Sequence, residues 1–387
     1  MKEGWKNKRL DEVSCFINGR AYKKDELLDN GKYPVLRVGN FFTNKQWYYS
    51  DFELHEDKYS NKGDLLYAWS ASFGPRIWTG EKVIYHYHIW KVIPNRLLIT
   101  KDFLFFLLDW DTEKIKKAQG TGTTMMHVSK GSMDARLVPI PPLPEQKRIV
   151  SILDKAFVAI DKAIANSEKN LQNTKEFFYN YLNKTLSNQI KASSIIKLGE
   201  VAEYFNGLTY SPKDKNNEGI IVLRSSNVQK DELDFSDIVR VNLTVKEKKI
   251  VKDGDILMCS RNGSKRLVGK TATIKALDEV MTFGTFMMII RSQYNPYLSW
   301  FFKSIHFREQ ISSGENTMIN QITRYMLDDV VLSFPPIEIQ KEIVSKLDSL
   351  SSRTKRLESI YQQKLENLKE LKQSILQKAF EGELCKL

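Results

Sequence analysis

The chain has 387 residues, of which 42% are hydrophobic and 27% are charged, so it can form two or more cores and is neither a disordered tail nor a mini-protein. Its net charge of +12 at pH 7 favours a polyanionic partner such as nucleic acid. A charged start, MKEGWKNKRL, and three isolated cysteines indicate a cytoplasmic protein without a signal peptide, a disulfide framework or a Cys-x-x-Cys metal site; the cysteines are Cys15, Cys259 and Cys385.

The residues up to 142 predict a mixed α/β block. Short runs rich in β-branched, aromatic and leucine residues, with glycine and proline between them, are typical of strands. They read YPVLRVG (residues 33–39), DLLYAWS (64–70) and KVIYHYHIW (82–90). The run FLFFLLDW (103–110) favours a helix and is too short to span a bilayer. The strand order does not follow from these patterns.

A proline-rich lead-in then gives way to a long helical pattern in residues 143–190. The prolines block a helix up to Pro144, so we expect the helix to open at Glu145, with the acid near its positive end. Apolar residues recur every seven positions as far as Tyr181, which predicts lengthwise packing against another helix. About 42 helical residues give a rod of roughly 60 Å. The predicted seam residues are Leu153, Phe157, Ile160, Ile164 and Leu171.

The second half of the chain predicts the same succession of elements. Strand-like runs read GIIVLRSS (219–226) and GDILMCS (254–260), and YLSWFFKSI (297–305) favours a helix. After a second pair of prolines, residues 337–387 carry another seven-residue apolar stripe. Its predicted seam residues are Leu347, Leu350, Leu357, Tyr361 and Leu368.

The two halves are copies of each other. A constant shift of 194 places Gln146 on Gln340 and matches the proline pair, the helix start and much of the stripe that follows. Upstream, LDEVSCFINGRAY (10–22) matches LGEVAEYFNGLTY (198–210). Such self-similarity indicates two related modules. We therefore predict an α+β chain with two similar mixed α/β domains, separated by two long helices that form a coiled coil, with a pseudo-twofold internal repeat.

No sequence pattern predicts catalysis or a metal or cofactor site in this chain. GSKRLVGKT (263–271) approaches a phosphate-binding loop, but five residues separate its glycines where the loop has four. GPRIWTG (74–80) has the same spacing, so we interpret both as one structural turn shared by the two blocks. The triplet His86-Tyr87-His88 favours a surface or core position over a metal site.

Basic and polar residues instead cluster beside aromatic residues in or near turns. Arginine can pair with guanine, and asparagine with adenine, in the major groove of DNA. For any single residue the alternative is a solvated rim of turns, but Arg37 corresponds to Arg224 and Asn40 to Asn227 between the copies. The DNA-binding candidates are Arg37, Asn40, Trp69, Ser70 and Arg76 in the first block, and Arg224, Ser226, Asn227, Arg261, Asn262, Lys265 and Arg266 in the second. The wider clusters also contain Lys45, Gln46, Trp47 and Ser72 in the first block, and Ser225 and Ser264 in the second.

The chain resembles the specificity subunit of a type I restriction-modification enzyme. The resemblance is carried by PLPEQKRIVSILD (142–154), PPIEIQKEIVSKLD (335–348), LKQSILQKAFEGEL (371–384) and the two-copy plan. It implies four segments, which are target-recognition domain 1 (1–142), spacer helix 1 (143–190), target-recognition domain 2 (191–336) and spacer helix 2 (337–387). It also implies that the two long helices pair antiparallel.

The resemblance also implies partners and a division of labour. Each recognition domain would read one half of an asymmetric, bipartite site in double-stranded DNA, and the helices would set the gap and dock two adenine methyltransferase subunits. S-adenosylmethionine, ATP and Mg would serve those subunits and the restriction or translocase subunits, with no cofactor in this chain. The second copy has Glu338-Ile339-Gln340 where the first has Pro144-Glu145-Gln146, which puts identical contacts by the two copies in doubt.

Two other functions are compatible with the same sequence features. One is a stand-alone DNA-bridging or regulatory protein without a methylating partner. The other is the recognition arm of a related single-enzyme restriction system, whose catalytic chain is separate. Stable association with a methyltransferase on co-purification distinguishes the first of these from a specificity subunit.

Overall fold

A computed structural model of the protein describes residues 3–43, 46–70, 74–119, 127–190, 193–275, 278–312 and 321–384. Lys45 and Ser72 of the wider first cluster and the third cysteine, Cys385, lie outside these residues. In the part of the chain that the structure describes, no helix is long and apolar enough to cross a membrane.

The first half of the chain forms short strands, short helices and two longer helices of 19 and 48 residues. KVIYHYHIW divides into two strands joined by a turn at residues 86–88, and YPVLRVG ends as a strand before a short helix begins. The elements are β1 (Lys6–Arg9), α1 (Leu10–Val13), β2 (Ser14–Asn18), β3 (Tyr33–Leu36), α2 (Val38–Thr43), β4 (Tyr48–Ser50), β5 (Tyr59–Ser60), β6 (Leu65–Ala68), β7 (Gly74–Ile77), β8 (Val83–Tyr85), β9 (Ile89–Pro94), α3 (Lys101–Gln119), α4 (Lys130–Asp134), β10 (Leu137–Ile140) and α5 (Leu143–Ile190).

The second half repeats this succession and ends in a 44-residue helix. YLSWFFKSI is broken at residues 302–304, so it contributes to two helices where the pattern predicted one. The elements are β11 (Ser194–Lys197), β12 (Glu203–Asn206), β13 (Lys215–Asn216), β14 (Ile220–Leu223), β15 (Val228–Gln229), β16 (Glu232–Leu233), β17 (Arg240–Val241), β18 (Ile256–Cys259), β19 (Thr271–Thr273), β20 (Met281–Phe283), β21 (Met287–Arg291), α6 (Asn295–Phe301), α7 (Ile305–Ser312), α8 (Arg324–Asp328), β22 (Val331–Phe334) and α9 (Ile337–Phe380).

The two halves share the topology of one four-stranded sheet and a parallel strand pair of the other, whose strand order differs between them, β4-β3-β8-β5 against β13-β17-β14-β20. One four-stranded sheet has the order β2-β9-β6-β7 in the first half and β12-β21-β18-β19 in the second, with antiparallel neighbours in both. A second four-stranded sheet contains a parallel pair, β3 with β8 and β14 with β20. A two-stranded sheet, β1-β10 or β11-β22, leads into each long helix. The predicted α+β class and internal repeat are confirmed.

The chain divides into two compact units, and each long helix contributes to both. The first unit contains residues 1–167 and 363–387, and the second contains residues 168–362. The boundary therefore crosses α5 after Ser167 and α9 after Gln362. The division into recognition domains and spacer helices at residues 142, 190 and 336 is a different one and stays a prediction.

In the first unit, the start of α5 packs against the end of α9. Lys372 on α9 pairs with Asp161 at 2.8 Å, and its ammonium lies 4.7 Å from the ring centre of Phe157. Early residues of α5 thus meet late residues of α9, so the two segments are antiparallel. Their apolar faces join the sheet and α3 in one core, to which the helices contribute Ile149, Leu153, Phe157, Ile160, Leu376, Ala379 and Phe380.

In the second unit, the end of α5 and the start of α9 share a core with α6 and α7. Phe178 lies 5.6 Å from the ring of Trp300, whose Nε1 donates to Asp348 at 3.0 Å. Leu182 and Leu347 are both fully buried in this core. The antiparallel arrangement of the first unit therefore recurs in the second with the roles of the two helices exchanged.

The first long helix begins at Leu143, two residues before the predicted start at Glu145. Pro144 lies in its first turn, where a residue without an N–H loses no helical hydrogen bond. Gln146 anchors this turn. It is fully buried, its Nε2 donates to Leu98 O at 2.8 Å and to Pro141 O at 2.9 Å, and its Oε1 accepts from Thr100 N at 2.9 Å.

The predicted heptad register is wrong by one residue at Tyr181 in the first stripe and at Leu357 in the second. Tyr181 is 37% exposed while Leu182 is fully buried, and Leu357 is 43% exposed while Glu358 is half-buried. An α-helix of 3.6 residues per turn drifts by about 20° per heptad, so a strict seven-residue count leaves the packed face. Of the other predicted seam residues, Leu153, Phe157, Ile160 and Leu347 are buried, and Ile164, Leu171, Leu350, Tyr361 and Leu368 are half-buried.

The two glycine motifs are not one shared turn, which corrects that interpretation. Gly74 begins β7 and lies opposite Ala68. In the second copy, residues 263–269 precede β19, whose Thr271 lies opposite Met258. Since β6 and β18 are equivalent strands, Gly74 corresponds to a position just before Thr271, and the similar glycine spacing is coincidental.

Candidate nucleic-acid interface

The turn after β3 holds Arg37 and Asn40 beside a polar pocket of about 310 Å³. Arg37 N donates to Asn40 Oδ1 at 3.1 Å, and Asn40 Nδ2 donates to Gln46 O at 2.8 Å. The Arg37 guanidinium lies 5.2 Å from the ring centre of Tyr48. Asn40 is 4% exposed, so its amide supports the turn and is not available to adenine. This corrects its prediction as a base-reading residue.

The second copy uses its asparagine in the same way. Asn227 is 1% exposed, its Oδ1 accepts from Arg224 N at 2.9 Å, and its Nδ2 donates to Asp234 O and Asp237 O. Arg224 is half-buried and pairs with Asp237 at 2.6 Å. The correspondence of Asn40 and Asn227 that suggested DNA contacts therefore reflects a structural cap, and Asn227 is corrected likewise.

Trp69, Ser70 and Arg76 surround the same end of the first domain. The Trp69 ring lies 4.9 Å from that of His88, and its Nε1 donates to Tyr87 O at 2.7 Å. Ser70 forms an isolated bridge to His127. Arg76 is exposed on β7, lies with its guanidinium 5.7 Å from the Phe41 ring and donates to Phe41 O. These candidates and Arg37 thus lie around neighbouring turns.

The second domain brings its remaining candidates together more openly. Arg261 is exposed, with its guanidinium 5.6 Å from the ring centre of Phe286. Asn262 Nδ2 donates to Ser225 Oγ at 3.3 Å, which joins the turns after β14 and β18. Ser226 is half-buried, and its carbonyl accepts from Gln229. The exposed Lys265 and Arg266 form no ion pair with any described residue, so their charges are available to an anionic partner.

His86 and His88 add polarity but not charge to the pocket of Arg37. Burial, the neighbouring His88 and the Arg37 guanidinium lower the pKa of His86 to about 4. Burial and Arg37 also lower the pKa of His88. Both imidazoles are therefore neutral at pH 7. Within the described ranges, no group of three or more histidine, cysteine, aspartate or glutamate side chains could hold a metal ion.

Three exposed aromatic residues lie beside these candidates and were not predicted from the sequence. Tyr87 is 37% exposed, Phe42 37% and Phe286 55%. Tyr87 and Phe286 belong to the turn that precedes β9 or β21, and Phe42 belongs to α2. The repeat gives only a weak signal for them, because the equivalent turns align Tyr87 with Thr285 and Phe286 with His88. The pattern KVIYHYHIW predicts one continuous strand and so hides the turn at Tyr87.

A matching groove lies at the start of each long helix. Both grooves have a volume of about 410 Å³, one in the first unit and one in the second. Four of their lining residues are identical under the shift of 194, although most surrounding residues differ. These are Lys147, Val150, Ser151 and Asp154 in the first groove, and Lys341, Val344, Ser345 and Asp348 in the second.

Comparison with known proteins finds one family across most of the chain. A family model described as the type I restriction modification DNA specificity domain matches residues 2–167 and 191–367. The type I restriction enzyme EcoKI specificity subunit of Escherichia coli (strain K12) is 25% identical, over 99% of this chain and 90% of that protein. The MjaVIII specificity subunit of Methanocaldococcus jannaschii is 23% identical, over 99% and 93%.

Two solved structures have the same fold. A chain from a study of the complex assembly and conformational transition of the type I R-M system has a TM-score of 0.77 and 21% identity, with 99% of both chains covered. The HsdS subunit from Thermoanaerobacter tengcongensis has a TM-score of 0.57 and 19% identity, with 99% of this chain and 98% of that chain covered.

Proposed function

The chain belongs to the type I restriction-modification specificity subunits, the non-catalytic subunits that recognise DNA sequence, and we propose that each of its two recognition domains reads one half of an asymmetric, interrupted DNA site. The observation that carries this proposal is the repeated four-stranded sheet, β2-β9-β6-β7 and β12-β21-β18-β19, with different exposed side chains at corresponding turns. Equivalent frameworks support binding to similar DNA surfaces, and unlike side chains support unlike half-sites.

The exposed cations support contact with DNA. Arg261, Lys265 and Arg266 lie on neighbouring turns of the second domain, and in the first domain Arg76 lies near Arg37 and Trp69. Lysine and arginine neutralise phosphates, and arginine can also pair with guanine. The net charge of +12 provides a favourable long-range field for association with DNA.

The long helices set the gap between the half-sites under this proposal. α5 has 48 residues and α9 has 44, and both contribute to both units. A helix resists bending and has a defined rise per residue, so it is suited to measure distance. Two recognition modules bind half-sites whose separation matches the spacing between the modules.

Two methyltransferase subunits dock on the helices, one at each of the matching grooves. The repetition of Lys, Val, Ser and Asp supports two copies of one partner, because each groove offers the same cation, apolar floor and carboxylate. S-adenosylmethionine, ATP and Mg belong to the methyltransferase and restriction subunits of the enzyme. The complex acts in the cytoplasm, where it meets chromosomal DNA.

Mapping of modified adenines tests the function directly. We expect a single interrupted motif, with different halves, to be methylated genome-wide in cells that contain the gene together with its methyltransferase, and to be unmethylated when the gene is deleted. Re-expression of the chain should restore the motif. Methylation of the motif in cells without the gene would contradict the proposal. So would a methylated motif that has no internal gap.

Charge reversal in the grooves tests the docking of the methyltransferase. Lys147→Glu and Lys341→Glu should each leave one methyltransferase copy bound and weaken the other at least about tenfold, since each reversal opposes one complementary contact. The double variant should bind neither copy. The measurement is the mass of the co-purified complex, and Lys162→Glu, an exposed change on α5 outside the groove, is the control. Two copies bound to the double variant would exclude the grooves.

A further inference from the structure

Each recognition domain carries a tight turn with the same backbone construction. In the first domain, Ile89 N donates to His86 O at 2.9 Å; in the second, Met287 N donates to Gly284 O at 2.8 Å. Each turn joins a strand of one four-stranded sheet to a strand of the other. The two central residues of each turn form what we call the first tip, Tyr87 and His88, and the second tip, Thr285 and Phe286.

The backbone of each tip is held by hydrogen bonds within its own domain. Trp69 N donates to His88 O at 3.0 Å, and Trp69 Nε1 donates to Tyr87 O at 2.7 Å. At the equivalent place in the second domain, Ser260 N donates to Phe286 O at 3.0 Å. Because these carbonyls are already paired, the side chains are the groups with which a tip can distinguish one base from another.

The side chains of the tips reach solvent and differ in chemistry. Tyr87 is 37% exposed and Phe286 is 55% exposed, and Thr285 is exposed beside it. Tyr87 and His88 offer a hydroxyl and a neutral imidazole, which donate and accept hydrogen bonds. Phe286 offers an apolar ring. A shared framework therefore presents a phenol hydroxyl and an imidazole in the first domain, and an apolar ring beside the threonine hydroxyl in the second.

Each tip also lies beside an arginine that was a DNA-binding candidate on other grounds. Arg261 has its guanidinium 5.6 Å from the ring centre of Phe286, and Arg37 lines the same pocket as His88. In the major groove, arginine pairs with the O6 and N7 of guanine, and an apolar side chain contacts the methyl group of thymine. The pair of Phe286 and Arg261 is thus suited to adjacent thymine and guanine bases.

On the basis of the proposed function, we infer that the two tips are specificity determinants that contact base edges, and that their different side chains make the two half-sites different. The inference rests on three observations: the turn that both domains share, the paired tip carbonyls, and an exposed aromatic side chain in each tip, with an arginine beside Phe286 in the second tip and beside His88 in the first. It assigns a role to Tyr87, His88, Thr285 and Phe286.

Exchange of the tips tests this inference on the full chain in complex with its methyltransferase. The variants are Tyr87→Thr with His88→Phe, and Thr285→Tyr with Phe286→His. Each complex selects DNA from a randomised duplex library, and the bound fraction is sequenced. We expect each exchange to change the preferred base at one or two adjacent positions of one half-site by at least about tenfold, with the other half-site unchanged.

Single changes provide matched controls. Phe286→Ala should relax the base preference in one half-site, whereas Val280→Ala, which is equally exposed at the other end of β20, should change nothing. In the first domain, Tyr87→Phe removes one hydroxyl, and Leu97→Ala, in the exposed loop after β9, is the control. Thermal unfolding of every variant verifies that it is folded.

The possible outcomes separate this inference from the proposed function. Unchanged base preferences with retained binding would overturn the role of the tips, and so would an equal loss of affinity for all sequences, since that indicates a phosphate contact or a structural role. If the wild-type complex selects no interrupted site at all, the proposed function itself fails.

Discussion

Removal of seven residues from each long helix is expected to abolish recognition of the wild-type DNA site while the base preference of each half-site is retained. The deletions are residues 164–170 of α5 and 359–365 of α9, which span the points where the boundary between the units crosses the helices. Each deletion shortens a helix by about 10 Å, which corresponds to about three base pairs. The seven residues removed make up about two full turns less 20°. The apolar stripes on either side of the deletion therefore stay nearly in register.

The expected loss is large because a domain that cannot reach its half-site contributes nothing to specific binding. Affinity for the wild-type interrupted site should fall at least about 100-fold, as measured by titration of labelled duplexes with different gaps. The controls replace exposed residues at the same places and leave the length of each helix unchanged. They are Glu168→Ala with Lys169→Ala, and Gln362→Ala with Gln363→Ala. Retention of the original gap by the deletion variant would show that the helices do not set it.

Replacement of Gly19 by alanine is expected to disrupt the first recognition domain. A Cβ at this position would lie far closer than 3.0 Å to Tyr85 O, a backbone atom that cannot move without breaking the sheet. Gly207 occupies the equivalent position, where a Cβ would overlap Gly284 O. Overpacking of this kind against backbone should cost more than about 3 kcal/mol of the free energy of unfolding.

The measurement is thermal and urea unfolding of the purified chain. For a unit of this size, 3 kcal/mol lowers Tm by about 6 °C or more. Gly131→Ala is the matched control, because Gly131 lies in the helix α4 and has no atom within 4 Å of an added Cβ. That change should be neutral or stabilise the protein by up to about 1 kcal/mol. Equal stability of Gly19→Ala and Gly131→Ala would contradict the close approach.

The structure also explains why some repeated residues misled the search for DNA contacts. Asn40 and Asn227 correspond in the two copies and carry the amide that reads adenine, but both are buried caps. A residue type and its spacing predict a possible contact, whereas burial decides whether the groups are free to make it. The guanidinium of Arg261 is exposed and can contact DNA, whereas that of Arg224 is half-buried and held in an ion pair with Asp237.

Local patterns account for what the sequence by itself determined. The two-copy plan, the α+β class and the existence of two long apolar stripes follow from residues near one another in the chain, because periodicity and repeat matching are properties of sequence alone. The same patterns placed the start of α5 within two residues of its position at Leu143.

The tertiary structure decided the features that depend on contacts between distant residues. The strand order β2-β9-β6-β7, the contribution of both helices to both units and the exposure of Leu357 follow from which surfaces exclude water together. Burial of apolar surface is non-directional, so a sequence specifies which residues are apolar without specifying their partners. The tips also depend on tertiary structure, because the chain turns at Tyr87 where β8 and β9 enter different sheets.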